Sequence, residues 1–281
     1  MSMDIEVYAK RAAEASPFEQ GDYFADDGLL YCHKCNTPKQ CRVQNPFFPD
    51  LTDVRSCICK CREEELKQEK ENAQRQEFML RCEKYRRLGF ADEKMRNWTF
   101  ANDDMSNRTL THAMQQYVAN FEEFKAQGKG LLLYGSVGSG KTFAACEVAN
   151  ALIDKGHPVL VTNFAKLINT LEEQFKSRQT YIDSLNKFSL LVIDDLDAER
   201  DTEYMQENVY NIIDARYRAG LPMIITTNLT GAKLKNPDNI SKERIYSRLL
   251  ERCHPIEVTG ADRRRAALKD GYADMRKILG V

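Results

Sequence analysis

From Trp98 onward, continuous apolar runs alternate with amphipathic stretches. The runs are "GLLLYG", "PVLVTN", "LLVIDD", "PMIITTN" and "PIEVTG". The first four are continuous enough to predict central strands of a parallel sheet buried on both faces. Between them, "TFAACEVANALIDKG" and "DTEYMQENVYNIIDARYRAG" carry the spacing of helices, and Gly156 and Gly220 suit helix stops. Strand and helix in alternation predict an α/β fold, a doubly wound parallel sheet. Upstream, residues 62–96 are highly charged with few apolar positions, which predicts a solvated helical connector. Residues 1–61 hold a cluster of cysteines instead. The expected organisation is a Cys-rich domain over 1–61, a linker over 62–96 and the α/β domain over 97–281.

Composition narrows the class. The 281 residues are 42% hydrophobic and 30% charged, within the soluble globular range, and suffice for one sizeable core plus a satellite domain. No apolar run approaches the roughly 18 residues of a membrane span. The N-terminal "MSMDIEVYAKRAAEASPFEQ" is acidic without an apolar centre, so no signal peptide is expected and the expected compartment is the cytoplasm. A formal net charge of −1 gives no global sign of nucleic-acid binding, so any such surface must be local. The basic tract "RCEKYRR" in the connector reads either as a solvated helix face or as a DNA-contacting strip.

"GSVGSGKT" fits G-x-x-x-x-G-K-[ST] and includes Gly135, Ser136, Val137, Gly138, Ser139, Gly140, Lys141 and Thr142. It follows an apolar strand and opens a helix. Glycines let the backbone curl so that successive N–H groups face a phosphate, and the helix N-terminus adds positive potential. Lys141 is expected to reach the β- and γ-phosphates, and the Thr142 hydroxyl to ligate Mg²⁺. "LLVIDDLDAER" ends its strand in Asp194 and Asp195, at the C-terminal end of the strand, where open α/β sheets hold ligands. Asp194 is expected to orient the magnesium's water shell, and Asp195 to polarise an attacking water. Asp197 either joins them or caps the next helix. "PMIITTNLT" ends a further strand in Thr226, Thr227 and Asn228. Asn228 is expected to position the water, with Thr227 the runner-up; asparagine also favours turns. Trp98 and Phe100 either pack against an adenine base or belong to the core.

Six of nine cysteines fall between Cys32 and Cys61, which in a cytosolic chain points to metal rather than disulfides. "CHKC" supplies Cys32 and Cys35 with zinc-knuckle spacing. In "CICKC", Cys57, Cys59 and Cys61 would share one side of an extended segment. Cys59 belongs to either pairing, and Cys61 is preferred as its companion because "CKCREEE" leads into the helix. Cys57 is the alternative, with His33 or Cys41 as outside candidates and an iron–sulfur cluster as the minor alternative to zinc. Cys82, Cys146 and Cys253 read as small buried hydrophobes.

The phosphate motif, "LLVIDDLDAER…QENVYNIIDARYRAGLPMIITTNLT" and "ERIYSRLLERC" together resemble the DnaC/DnaI-type helicase loaders, AAA+ ATPases related to the IstB-type transposition helper ATPases. The resemblance runs from about Trp98 to Arg265. The Cys-rich front resembles Gram-positive and phage members whose N-terminal region binds zinc and the replicative helicase. The resemblance implies ATP, Mg²⁺ and Zn²⁺ as cofactors, Lys141 and Thr142 as Walker A, Asp194 and Asp195 as Walker B, and Asn228 as sensor 1. It implies Arg248 as the arginine finger with Arg244 beside it, and Arg263 as the sensor-2 arginine, in a register left open by Arg264 and Arg265. Without the family, Arg244 and Arg248 are four apart on one helix face and read as surface arginines in local ion pairs. Asp195 departs from the glutamate usual in AAA+ proteins, and few residues follow Arg265 for a helical lid.

The implied function is an ATP-dependent loader that binds a replicative DnaB-type helicase and helps place it on single-stranded DNA. It would work as an ATP-dependent homo-oligomer or assembled on the helicase ring, with slow hydrolysis. Alternatives are a transposition helper ATPase, a nucleotide-dependent adaptor with little hydrolysis and, disfavoured by "ERIYSRLLERC", a small-molecule kinase.

Overall fold

Two short antiparallel hairpins come first: β1 (Tyr23–Phe24) with β2 (Leu30–Tyr31), and β3 (Gln40–Gln44) with β4 (Thr52–Ser56). The computed structural model describes residues 15–45, 48, 50–90, 92–173, 177–196, 202–260, 262 and 275–280. The chain divides into two compact units, Met1–Met79 and Leu80–Val281. The connector is one helix, α1 (Lys60–Gly89), so the division falls inside it. Its apolar residues form no stripe, as expected of a helix that sheds its side chains into solvent.

The first unit buries little apolar surface; Leu30, Cys32 and Cys59 are among its few buried residues. A polar cluster stands in for a core. Lys39, 2% exposed, donates to Asp22 Oδ2 and to Pro17 O, each at 2.7 Å. Burial works against the Asp22 charge, yet hydrogen bonds from Lys39, Glu19 and His33 hold its carboxyl below the usual range. So small an apolar interior ordinarily needs a covalent or metal staple.

In the second unit, α2 (Arg108–Ala119) and α3 (Phe121–Gln127) lead to β5 (Gly130–Tyr134) and α4 (Lys141–Asp154). Then follow β6 (Val159–Asn163), α5 (Phe164–Glu173), α6 (Arg178–Leu185), β7 (Leu190–Leu196), α7 (Glu203–Arg218) and β8 (Met223–Thr227). The unit continues through α8 (Gly231–Lys235), α9 (Ile240–Arg252) and β9 (Cys253–Glu257). The five strands form one parallel sheet in the order β6-β7-β8-β5-β9.

Period-two alternation explains why both faces are covered. Leu131, Leu133, Val192 and Ile224 point into a core with α2, α3 and α4, whereas Leu132, Leu191, Ile193 and Ile225 point into a second core with α5, α6, α7 and α9. Gly130 is required where β5 enters the sheet, since a Cβ there would lie 1.8 Å from Met223 O. Among the described residues, no helix is long and apolar enough to cross a membrane.

Candidate functional site

The loop between β5 and α4 is shaped by its own backbone. Gly138 has φ +77°, and a Cβ there would lie 2.0 Å from Asp262 Oδ1, so this position accepts only glycine without strain. Ser139 Oγ donates to Ser136 O at 2.8 Å and braces the turn. Lys141 is buried and projects into the loop, where Nζ donates to Gly135 O (3.0 Å), Ser136 O (2.7 Å) and Asn228 Oδ1 (2.9 Å).

The two aspartates lie at a break in strand pairing. Ile193 pairs with Ile225 and Leu196 with Thr227, so β7 carries one residue more than β8 over the same interval. The extra residue is accommodated as a bulge, with Asp195 at φ 56°. Aspartate tolerates this left-handed conformation better than most side chains. Thr226 fastens the bulge: its buried hydroxyl accepts Asp195 N–H at 3.0 Å and donates to Asp194 Oδ1. Thr142 Oγ1 donates to the same oxygen at 2.8 Å. Burial pushes the Asp194 carboxyl above its ordinary pKa, against those two hydroxyl bonds and the nearby Lys141. A divalent cation there would relieve that cost, and Thr142 and Asp194 are the oxygen donors suited to hold one.

Asn228 joins the two halves. Its Oδ1 accepts a hydrogen bond from Lys141 Nζ, and its Nδ2 donates to Asp195 Oδ1 at 3.5 Å. Lys141, Thr142, Asp194, Asp195 and Asn228 therefore converge at the carboxyl ends of β5, β7 and β8. Thr227, the runner-up to Asn228, is turned elsewhere: its hydroxyl donates to Leu196 O and accepts from Leu229 N–H. Sequence reasoning gave Thr226 no role beyond ending the strand. Its bridging depends on the bulge, which has no signature in single-strand periodicity.

Trp98 and Phe100 pack against the first core, and Trp98 lies 5.8 Å from Phe143 between ring centroids. Asn150 Nδ2 anchors this segment on Met95 O and Trp98 O. Arg244 is exposed. Arg248 is half-buried against α7, with Nε donating to Asp214 Oδ1 at 2.8 Å and its guanidinium 4.6 Å from the Tyr210 ring centroid. Arg248 is thus ion-paired, but with a residue 34 positions away on another helix rather than with a neighbour on its own helix face. Asp197, Arg263, Arg264 and Arg265 lie outside the described residues.

In the first unit, the ligand atoms of Cys32, Cys35, Cys59 and Cys61 all lie within 4.8 Å of one another. The knuckle forms because Asn36 takes φ 53°, letting its N–H return to Cys32 O at 2.9 Å. The expectation that Cys59 and Cys61 share a side of an extended segment is corrected: β4 ends at Ser56 and Cys61 sits in the first turn of α1. Cys57 is turned away, donating to Pro38 O at 3.4 Å, and burial and nearby Cys41 push its thiol up to about 11. His33 Nδ1 is engaged by Asp22 at 3.1 Å.

The four-thiol set fits a tetrahedral cation. Hydrogen bonding to Cys35 pushes the Cys61 thiol up to about 12, whereas the Thr37 hydroxyl draws Cys35 down to about 5. Thiolates repel one another, so four sulfurs held this close ionise together most readily around a cation. Second-layer support is present: Ser16 Oγ contacts Cys59 Sγ at 3.2 Å and accepts Cys59 N–H at 2.8 Å.

This architecture has known counterparts. The replicative helicase loader DnaI of Bacillus subtilis is 28% identical over 182 residues, 59% of this chain and 58% of DnaI. The replicative helicase loader DnaC of Escherichia coli K12 is 24% identical over 157 residues, 54% of this chain and 63% of DnaC. The chain thus spans less than two thirds of either relative. The crystal structure of DnaI superposes with a TM-score of 0.53 at 23% identity, covering 63% of this chain and 96% of that one, which shows a shared fold. The sequence profile described as IstB-like ATP binding protein matches residues 63–270, a span that contains the phosphate loop, both aspartates and Asn228. With that match over most of its length, the chain belongs to the IstB-like ATP-binding protein family.

Proposed function

We propose that this chain is an ATP-dependent loader that binds a replicative DnaB-type helicase in the cytoplasm and helps place it on single-stranded DNA. The observation that carries this reading is the combination of two units: a phosphate-loop unit with the DnaI fold, and a separate compact unit that holds the four clustered cysteines. In the phosphate-loop unit, Lys141 neutralises the β- and γ-phosphates of ATP while Thr142 and Asp194 hold Mg²⁺. Asp195 accepts the proton of the attacking water, which Asn228 orients. Arg248 acts as a finger on a neighbouring chain's nucleotide, and Arg263 serves the chain's own. Zn²⁺ on Cys32, Cys35, Cys59 and Cys61 holds the first unit together. A metal closed by four protein ligands supplies stability rather than catalysis.

The test is co-elution of the full chain with a replicative DnaB-type helicase, with and without Mg-ATP. A stoichiometric complex whose helicase is delivered to single-stranded DNA only with ATP is the expected result. No complex under either condition, with ATP binding intact, would overturn the loader reading. The family match favours one alternative, a transposition helper, which would instead form its ATP-dependent complex with a transposase.

A further inference from the structure

The Arg248 guanidinium is held in a particular way. Its Nε donates to Asp214 Oδ1 at 2.8 Å, and its plane lies 4.6 Å from the Tyr210 centroid and 5.6 Å from that of Tyr217. Among the described residues, Nη1 and Nη2 have no hydrogen-bond partner. The side chain is thus fixed by its inner nitrogen and its faces, while the fork that recognises phosphate bidentately stays available. Asp214 is nearly buried, and its second oxygen takes Arg218 Nε at 2.8 Å. One carboxylate therefore carries two arginines and leaves the cluster net positive. Tyr204, Tyr210, Asp214 and Arg218 of α7 line an open groove of about 660 Å³ between α6 and α7, with Arg178 on the α6 side.

We propose that Asp214 is a positioning residue for Arg248, presetting the arginine so that its free fork meets the transferring phosphoryl group of a neighbouring chain's nucleotide. This rests on the reading of Arg248 as a finger. A salt bridge made only for stability gains most from a bidentate contact, in which the fork itself is used up. Here the carboxylate engages Nε alone, and tyrosine faces replace the second contact. The geometry is that of a preorganised cation, whose reorganisation is complete before a phosphate arrives.

The experiment measures steady-state phosphate release by the full chain with Mg-ATP and oligo-dT, for Arg248→Ala, Asp214→Ala and Asp214→Asn. Misplacing a group by about 1 Å can cost about a hundredfold in rate, so Asp214→Ala should lose about ten- to a hundredfold in kcat with KM for ATP unchanged. Asp214→Asn keeps an acceptor for Nε and should recover part of that loss. Mixing Asp214→Ala with Lys141→Ala protein should restore activity in part, because the first supplies an intact nucleotide pocket and the second a correctly held Arg248. A purely structural role for Asp214 predicts no recovery on mixing. Parent-level turnover by Arg248→Ala would overturn the finger reading and this proposal together. A defective Arg248→Ala beside a fully active Asp214→Ala would overturn the positioning role alone. Should Asp214→Ala fail to fold, the near-isosteric Asp214→Asn takes its place in the mixing test, and a parent-level kcat for it together with Tyr210→Leu overturns the proposal.

Discussion

Thr226→Val tests the junction that assembles the site. Valine keeps the shape of a fully buried residue and deletes one hydroxyl. That hydroxyl accepts Asp195 N–H and donates to Asp194 Oδ1. A hydrogen bond to a charged group is worth about 1.5–3 kcal/mol, and an orphaned buried amide costs about 1–3 kcal/mol. The two share one atom and the bulge can relax, so the combined loss is set at about 3 kcal/mol. With a urea dependence of about 2–3 kcal/mol per molar, the unfolding midpoint falls by about 1 M. Trp98, the single tryptophan, packs on this unit's core and reports the transition by fluorescence.

The loss has a pH signature. Burial raises the Asp194 carboxyl above its ordinary value, and the Thr226 hydroxyl is the strongest influence holding it down. A carboxyl with a raised folded pKa favours folding below its unfolded pKa, and that contribution vanishes as pH rises through the folded value. Deleting the hydroxyl raises the folded value further. The deficit of Thr226→Val should therefore be larger at neutral pH than near the unfolded value of 3.8, and Mg-ATP should bind more weakly. An unchanged midpoint at neutral pH, or a deficit that grows towards acid, would refute the reasoning.

Asp195→Asn should keep Mg-ATP binding and lose turnover, because an amide cannot accept the water's proton; unchanged phosphate release removes Asp195 from that role. Cys32→Ser combined with Cys35→Ser should take the zinc content measured by elemental analysis from about one per chain to none while ATP binding persists; a metal-free parent purified without chelator defeats the zinc assignment. Gly130→Ala sets a methyl against Met223 O and should cost about 2–3 kcal/mol by urea unfolding, whereas parent-like stability would show that β5 can shift away from β8 at no cost.

What was legible in the sequence follows the range of the interactions that fix it. Lys141 and Thr142 are fixed by a loop whose spacing is set by a single turn of backbone, so eight consecutive residues suffice to find them. Four of the five strands, β5 to β8, were legible because burial on both faces demands unbroken apolar runs, whereas β9 is largely exposed. The preference for Cys61 over Cys57 rests on the helix that "CKCREEE" leads into, and the start of α1 does bring Cys61 to the other three thiols; what fails is the strand alternation expected of Cys57, Cys59 and Cys61, because β4 ends at Ser56. Thr226 and Asp214 were out of reach for a common reason. Each acts on a partner more than thirty residues away, Thr226 across a bulge and Asp214 across a helix pair. A bulge is a mismatch between two strands and exists in neither alone. The helix pair depends on how α7 and α9 cross, and periodicity fixes only which face each one buries. The residues that bind phosphate are thus written locally, whereas those that hold them in register are products of the tertiary fold. Substitutions at Thr226 and Asp214 consequently probe the assembled site in a way that substitutions within the phosphate loop cannot.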